Sequence, residues 1–159
     1  MSWLVAILML SNGGDYGFRS PYVFSGIRAE SSFGIAQVGF SPADKTTIPA
    51  YSYQIKGDLL VGGRIFAVFG PDLGRTVTPE WQKTAFRASF GLGYRSERLR
   101  VVYTHRFPLK DPNFMHRDAV SLETLGRIGV IVSLGTASYL QSGERRRVPA
   151  ASIGARIRL

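Results

Sequence analysis

Acid–base chemistry in this chain rests on two histidines, His105 and His116, because no other side chain titrates near neutral pH unless its surroundings shift it. His105 falls near the end of an alternating segment, on the same side as the aromatics, and His116 falls in the next loop. The plainer account of the pair is an interfacial histidine beside an aromatic belt and a loop histidine in water. Cysteine is absent, and no His, Asp or Glu cluster has metal-ligand spacing. No glycine-rich turn leads into a helix to cradle phosphate, and no nucleophile elbow occurs. No metal and no cofactor are expected.

The other chemically distinctive residues are arginines. Lys and Arg total 20 against 11 acids, and Arg far outnumbers Lys. They form no single patch; they recur at every second residue within strand-like segments, which puts them on one face of a sheet with the aromatics on the other. That spacing suits a polar barrel interior better than a phosphate-reading surface, so nucleic acid is not an expected partner. Asp58, Glu123 and Glu30 are the carboxylates available on that face for Arg64, Arg87, Arg100, Arg127 and Arg156. A lone buried guanidinium is very costly, so an Arg/Glu network is expected in the middle, with surplus arginines reaching water or anions at the rim. The tract 144–147, Glu-Arg-Arg-Arg, is a cluster outside this pattern. It reads as solvated charge or as a contact for anionic lipid headgroups.

The elements that would position these residues are strands. From Thr84 to Arg95, Phe86, Phe90, Leu92 and Tyr94 share a face with Ala88, opposite Arg87, Ser89, Gly91, Gly93 and Arg95. Ser96-Glu97 turns the chain, and Leu99, Val101, Tyr103, His105 and Phe107 then alternate with Arg100, Val102, Thr104 and Arg106. Upstream, strands are expected over 22–30, 33–40, 51–56 and 59–69, with tight turns at Ser31-Ser32 and Gly57-Asp58. Downstream, one long strand is expected over 119–134 and another over 148–159. Leu125-Gly126 is the place where the long one would break. Short turns alternate with longer connections over 41–49, 70–83 and 108–118, as in an up-and-down meander.

Residues 1–14 admit three readings: a signal-like segment, a short anchor or a first strand. With the strand included the count reaches nine, an odd number that single-chain bacterial barrels avoid, so either one strand assignment or the orientation must be wrong. No segment supplies the roughly 20 unbroken apolar residues of a membrane helix, which leaves a closed sheet as the membrane-spanning option.

The last eight residues alternate to the end, with Ile153, Ala155, Ile157 and Leu159 on one face and Ser152, Gly154, Arg156 and Arg158 on the other. This resembles the C-terminal insertion signal of bacterial outer-membrane β-barrels, carried here by Gly154, Ile157 and Leu159, with Leu in place of the commoner terminal aromatic. The resemblance implies a single all-β domain over 1–159, an antiparallel up-and-down membrane barrel of about eight strands. Membrane lipid, lipopolysaccharide and the barrel-insertion machinery would be its partners. Phe86, Phe90, Leu92, Tyr94, Leu99, Val101 and Tyr103 would then face lipid, with the arginine side filling a narrow lumen.

A second, local resemblance involves Tyr103-Thr104-His105-Arg106-Phe107-Pro108-Leu109-Lys110-Asp111-Pro112-Asn113. It is similar to the outer-membrane lipid A deacylases, small barrels in which a strand-borne His, followed by x-Ser and a Lys-Asp-Pro-Asn-like loop, leads to an acid on the next strand. The resemblance implies an acyl-ester hydrolase site on the outer wall, with His105 as base and Asp118 orienting it. The nucleophile position holds Phe107 instead. Thr104 points to the opposite face, and Ser121 belongs to the inward set.

Three functions follow in order: an outer-membrane barrel with a structural, surface-interaction or small-solute role; a lipid A deacylase-like esterase using His105; and a soluble or virion-associated β-sandwich. The direction of the Phe86–Tyr94 stripe separates the first two from the third.

Overall fold

The computed structural model describes residues 3–12, 22–43, 50–77, 82–110, 116–141 and 143–159. They form ten strands: β1 Trp3–Asn12, β2 Tyr22–Glu30, β3 Gly34–Ala43, β4 Ala50–Gly62, β5 Ile65–Val77, β6 Gln82–Arg95, β7 Leu99–Pro108, β8 His116–Thr124, β9 Ile128–Gln141 and β10 Glu144–Arg158. Each is antiparallel to its chain neighbour, and β1 pairs with β10 to close the barrel. Val5 lies opposite Arg158 and Asn12 opposite Ala151, and the Leu159 amide donates to the Leu4 carbonyl at 2.9 Å. The alternating C-terminal segment is therefore the closing strand, and its partner is the apolar run near the N-terminus.

The count is ten rather than about eight, for identifiable reasons. The expected strand over 119–134 is two strands, divided by a turn at Leu125-Gly126-Arg127. Trp3–Asn12 is a strand as well, which restores an even number. Gly57-Asp58 is not a turn: both residues sit inside β4, and the chain reverses at Gly63-Arg64. The segment 59–69 therefore belongs to two strands. The alternation conceals this, since Leu59, Val61, Ile65 and Phe69 all face outward and keep even spacing across the turn. Much of 70–83 is also strand, with Pro71 and Asp72 both in the ladder. Extended β9–β10 pairing, from Glu144↔Gln141 to Ile157↔Ile128, lifts part of the 144–147 tract into the wall.

The turns at 31–33, 63–64, 96–98 and 125–127 share one end of the barrel with the start of β1 and the end of β10. The remaining connections lie at the other end. In bacterial barrels the tight-turn end is periplasmic and the loop end faces outward.

The outer wall is apolar and uncovered. Leu92 is 63% exposed, Leu134 62% and Ile65 73%, and Phe86, Phe90 and Tyr94 are also exposed. Tyr103 is exposed, with Leu99 and Val101 half-buried beside it. Among the described residues no second sheet packs on this face, so the sandwich arrangement, with its aromatic stripe in a dry interior, is not the fold. The inside holds Leu60, Phe66 and Val68 in one apolar cluster and Val5, Ile7 and Ile131 in another. Phe66 lies directly across the ladder from Gly93. A Cβ at Gly93 would run into the Phe66 ring, so the glycine is what lets an aromatic lie flat across this narrow lumen.

Candidate functional site

Two ion networks cross the lumen. Near the turn end, Glu30 and Glu123 sit among Arg28, Arg100 and Arg156. Arg28 Nη1 is 3.0 Å from Glu30 and 2.8 Å from Glu123. Arg100 Nη2 is 3.0 Å from Glu30, and Arg100 also forks onto Glu123, its cross-strand neighbour. Arg156 spans the same two carboxylates, each at 3.1 Å. Higher in the barrel, Asp72 holds Arg87 and Arg106, each at 3.2 Å, and accepts from Gln54 Nε2 at 2.8 Å. Asp58 pairs with Lys56 Nζ at 2.6 Å and accepts from Ser89 Oγ at 3.0 Å.

Burial explains why these charges are paired. Arg87 is 1% exposed, Arg156 2% and Asp72 2%, in a space where an unpaired ion would be prohibitive. Among the described residues the two networks hold six cations and four carboxylates, so the interior carries a positive excess.

Of the residues singled out in the sequence, the structure brings Arg87, Arg100, Arg156, Glu123 and Asp58 into these networks, together with Glu30. Arg64 and Arg127 lie elsewhere: both are exposed in turns, because the chain reverses at positions that the alternation assigns to strands. Asp72, Arg28, Lys56 and Arg106 are network members that the sequence reading did not single out. Asp72 carried a readable signal, since it continues the inward even-numbered series of Phe66, Val68 and Gly70; Pro71 disguised it as loop.

The histidine region lies on the opposite, outer surface. His105 on β7 and Asp118 on β8 are direct cross-strand neighbours, and His105 Nδ1 is 2.8 Å from Asp118 Oδ1. The Tyr103 hydroxyl donates to the same carboxylate oxygen at 2.8 Å. The His105 ring has its centroid 5.2 Å from that of Phe90, stacks on Phe107 at 5.9 Å, and lies 5.9 Å from His116. His116 is the first residue of β8 rather than part of a loop. Arg106 and Thr104 point inward, and Ser121 faces the lumen, where it donates to Ser133 Oγ at 3.1 Å.

An imidazole oriented by a carboxylate is half of a hydrolytic site. The other half is a nucleophile within reach of the imidazole, and the place two residues along the same strand face, where the compared deacylases carry Ser, holds the Phe107 ring. The aromatic stack then makes the pair a fixed polar feature of the wall. Residues 111–113 of the loop compared with the deacylases fall outside the described residues.

The terminal strand places Ile157 and Leu159 outward and exposed, while Gly154 turns toward the lumen. The remaining described cations gather at the two rims. Arg64, Arg95 and Arg98 surround a cavity of about 640 Å³ between neighbouring turns, with Glu97 and Tyr94 beside them. At the loop end, Lys110 Nζ lies 4.9 Å from the centre of the Phe86 ring.

No protein-family model matches the chain, and no curated protein matches it either. Among solved structures it is similar to the KdgM porin in complex with disordered oligogalacturonate. The TM-score is 0.50 at 12% identity, over 99% of this chain and 98% of that one. A likeness at this identity is one of fold, and it agrees with the closed antiparallel sheet and the uncovered apolar wall: the chain folds as a closed ten-stranded β-barrel similar to that porin.

Proposed function

We propose that the protein is an integral barrel of the bacterial outer membrane whose lumen is plugged by its own side chains, and whose work is done on its surfaces. The observation that carries this reading is the pair of ion networks, stacked along the axis and almost wholly buried. Ten strands give an interior only slightly wider than one that side chains fill completely, and here long arginines fill it. The exposed stripe from Phe86 to Tyr94 supports contact with hydrocarbon, and the alternating last strand supports delivery by the barrel-insertion machinery. Lipopolysaccharide is the lipid expected around the loop end. A solute path would require the networks to part, and the positive excess would then favour anions.

Reconstitution into planar bilayers tests this. The expected result is no steady single-channel conductance from the wild-type protein, although insertion is evident from heat-modifiable gel mobility. Stable open currents would refute the plug and favour a small-solute channel.

Hydrolysis is not part of the reading, because Phe107 occupies the place of the nucleophile. Incubation of the purified barrel with lipopolysaccharide is expected to release no hydroxy fatty acid detectable by mass spectrometry. Release that disappears in His105→Ala would reverse this conclusion.

A further inference from the structure

Most of the described outer wall is apolar, but one panel over β7–β10 is not. Register places Arg147 opposite Ser138, and Ser138 opposite His116. One step toward the turn end, Pro149 lies opposite Thr136, Thr136 opposite Asp118, and Asp118 opposite His105. Another step down, the wall becomes greasy again with Leu134, Val120 and Tyr103. Arg145, two residues from Arg147 on the same outward face, is exposed like it. Two polar rows thus cap an apolar wall, at the loop end of the barrel.

From this we infer that the panel is a binding site for one outer-leaflet lipid with a phosphorylated saccharide headgroup. The inference rests on the membrane reading above. On that reading the loop-end rim of the wall lies at the level of lipid headgroups, where phosphate is the group that Arg recognises best. Width selects the class of headgroup. Four strands at about 4.8 Å spacing make a panel about 14 Å across, too broad for a single phosphodiester. Beside Arg145 and Arg147 it offers the hydroxyls of Ser138 and Thr136 and the imidazole of His105, which suit sugar hydroxyls. Asp118 is the acidic group of the panel; its Oδ1 is taken by the His105 imidazole and the Tyr103 hydroxyl, which screens part of its charge from the phosphate. Below, Leu134, Val120 and Leu92 provide a smooth bed for several acyl chains.

The experiment begins with insertion of the full chain into phosphatidylcholine vesicles, scored by heat-modifiable mobility and protease resistance. The inserted protein is then extracted and titrated with lipid A, or with phosphatidylglycerol at matched charge, and bound lipid is counted by native mass spectrometry. The expected result is one retained lipid A per barrel, with apparent affinity about ten-fold weaker in the double variant Arg145→Gln, Arg147→Gln. Arg64→Gln with Arg127→Gln, at the turn end, should leave it unchanged. Equal binding by wild type and the Arg145, Arg147 variant would overturn the site, as would equal competition by phosphatidylglycerol. Failure to insert at all would instead bring down the membrane reading, and this inference with it.

Discussion

Glu123→Ala should destabilise the barrel by about 3–5 kcal/mol, measured as the shift in urea unfolding of the vesicle-inserted protein followed by gel mobility. Glu123 touches Arg28 at 2.8 Å, Arg156 at 3.1 Å and Arg100 through a fork. Removing it leaves three guanidiniums in a nearly dry space with Glu30 as their remaining carboxylate in the network. The loss is a desolvation penalty more than a lost attraction, which gives the prediction a second arm. Glu123→Leu combined with Arg100→Met removes charge from both sides and should recover a large part of the loss, because an apolar filling of similar volume avoids that penalty. A single-variant loss below about 1 kcal/mol would mean that water enters this layer, since exposed ion pairs contribute no more than that. The plug proposed for the lumen would then fail as well.

Leu92→Arg addresses the outside of the same wall. Leu92 is 63% exposed and near the middle of the β6–β7 ladder, which runs from Arg87↔Pro108 to Arg95↔Arg100. An exposed leucine in water tolerates such a change within about 0.5 kcal/mol. At the mid-depth of a bilayer an arginine on a barrel wall costs about 2–4 kcal/mol. The two environments therefore predict different outcomes for one substitution, readable as the urea midpoint in phosphatidylcholine vesicles. Arg145→Leu, at the rim, supplies the contrast: its removal should leave the midpoint nearly unchanged. A small effect at Leu92 would show that this face is wet, and the membrane reading would not survive it.

The elements most legible in the sequence were those with strict alternation on both faces. β6 and β7 were readable with their turn because Arg, Ser and Gly alternate with large apolar residues in β6, and Arg and Thr alternate with Leu, Val, Tyr and Phe in β7. Glu123 and Arg100 were legible for the same reason as inward residues, though not as partners of each other. Turns were harder. The reversal at Gly63-Arg64 preserves the even spacing of its apolar neighbours, so periodicity runs through it unbroken. Gly57-Asp58 has the composition of a turn, yet β4 continues through it, and a Cβ at Gly70 across the ladder would strike the Gly57 backbone. The glycine that this close approach requires is Gly70, since a Cβ at Gly57 would meet nothing within 4 Å.

By itself the sequence determined the two-faced character of the strands: a period of two in hydrophobicity is set residue by residue, and it needs no knowledge of partners to assign one face to oil and the other to arginine. Only the tertiary structure decided how many strands close the ring, that β1 meets β10, and which carboxylate meets which guanidinium. Those depend on register and curvature, which arise from contacts between residues as distant in the chain as Glu30 and Arg156. Asp118 shows the division well. Its identity is local, but its position beside His105, on the wall rather than in the lumen, follows from the pairing of two strands across a connection whose length does not fix their register.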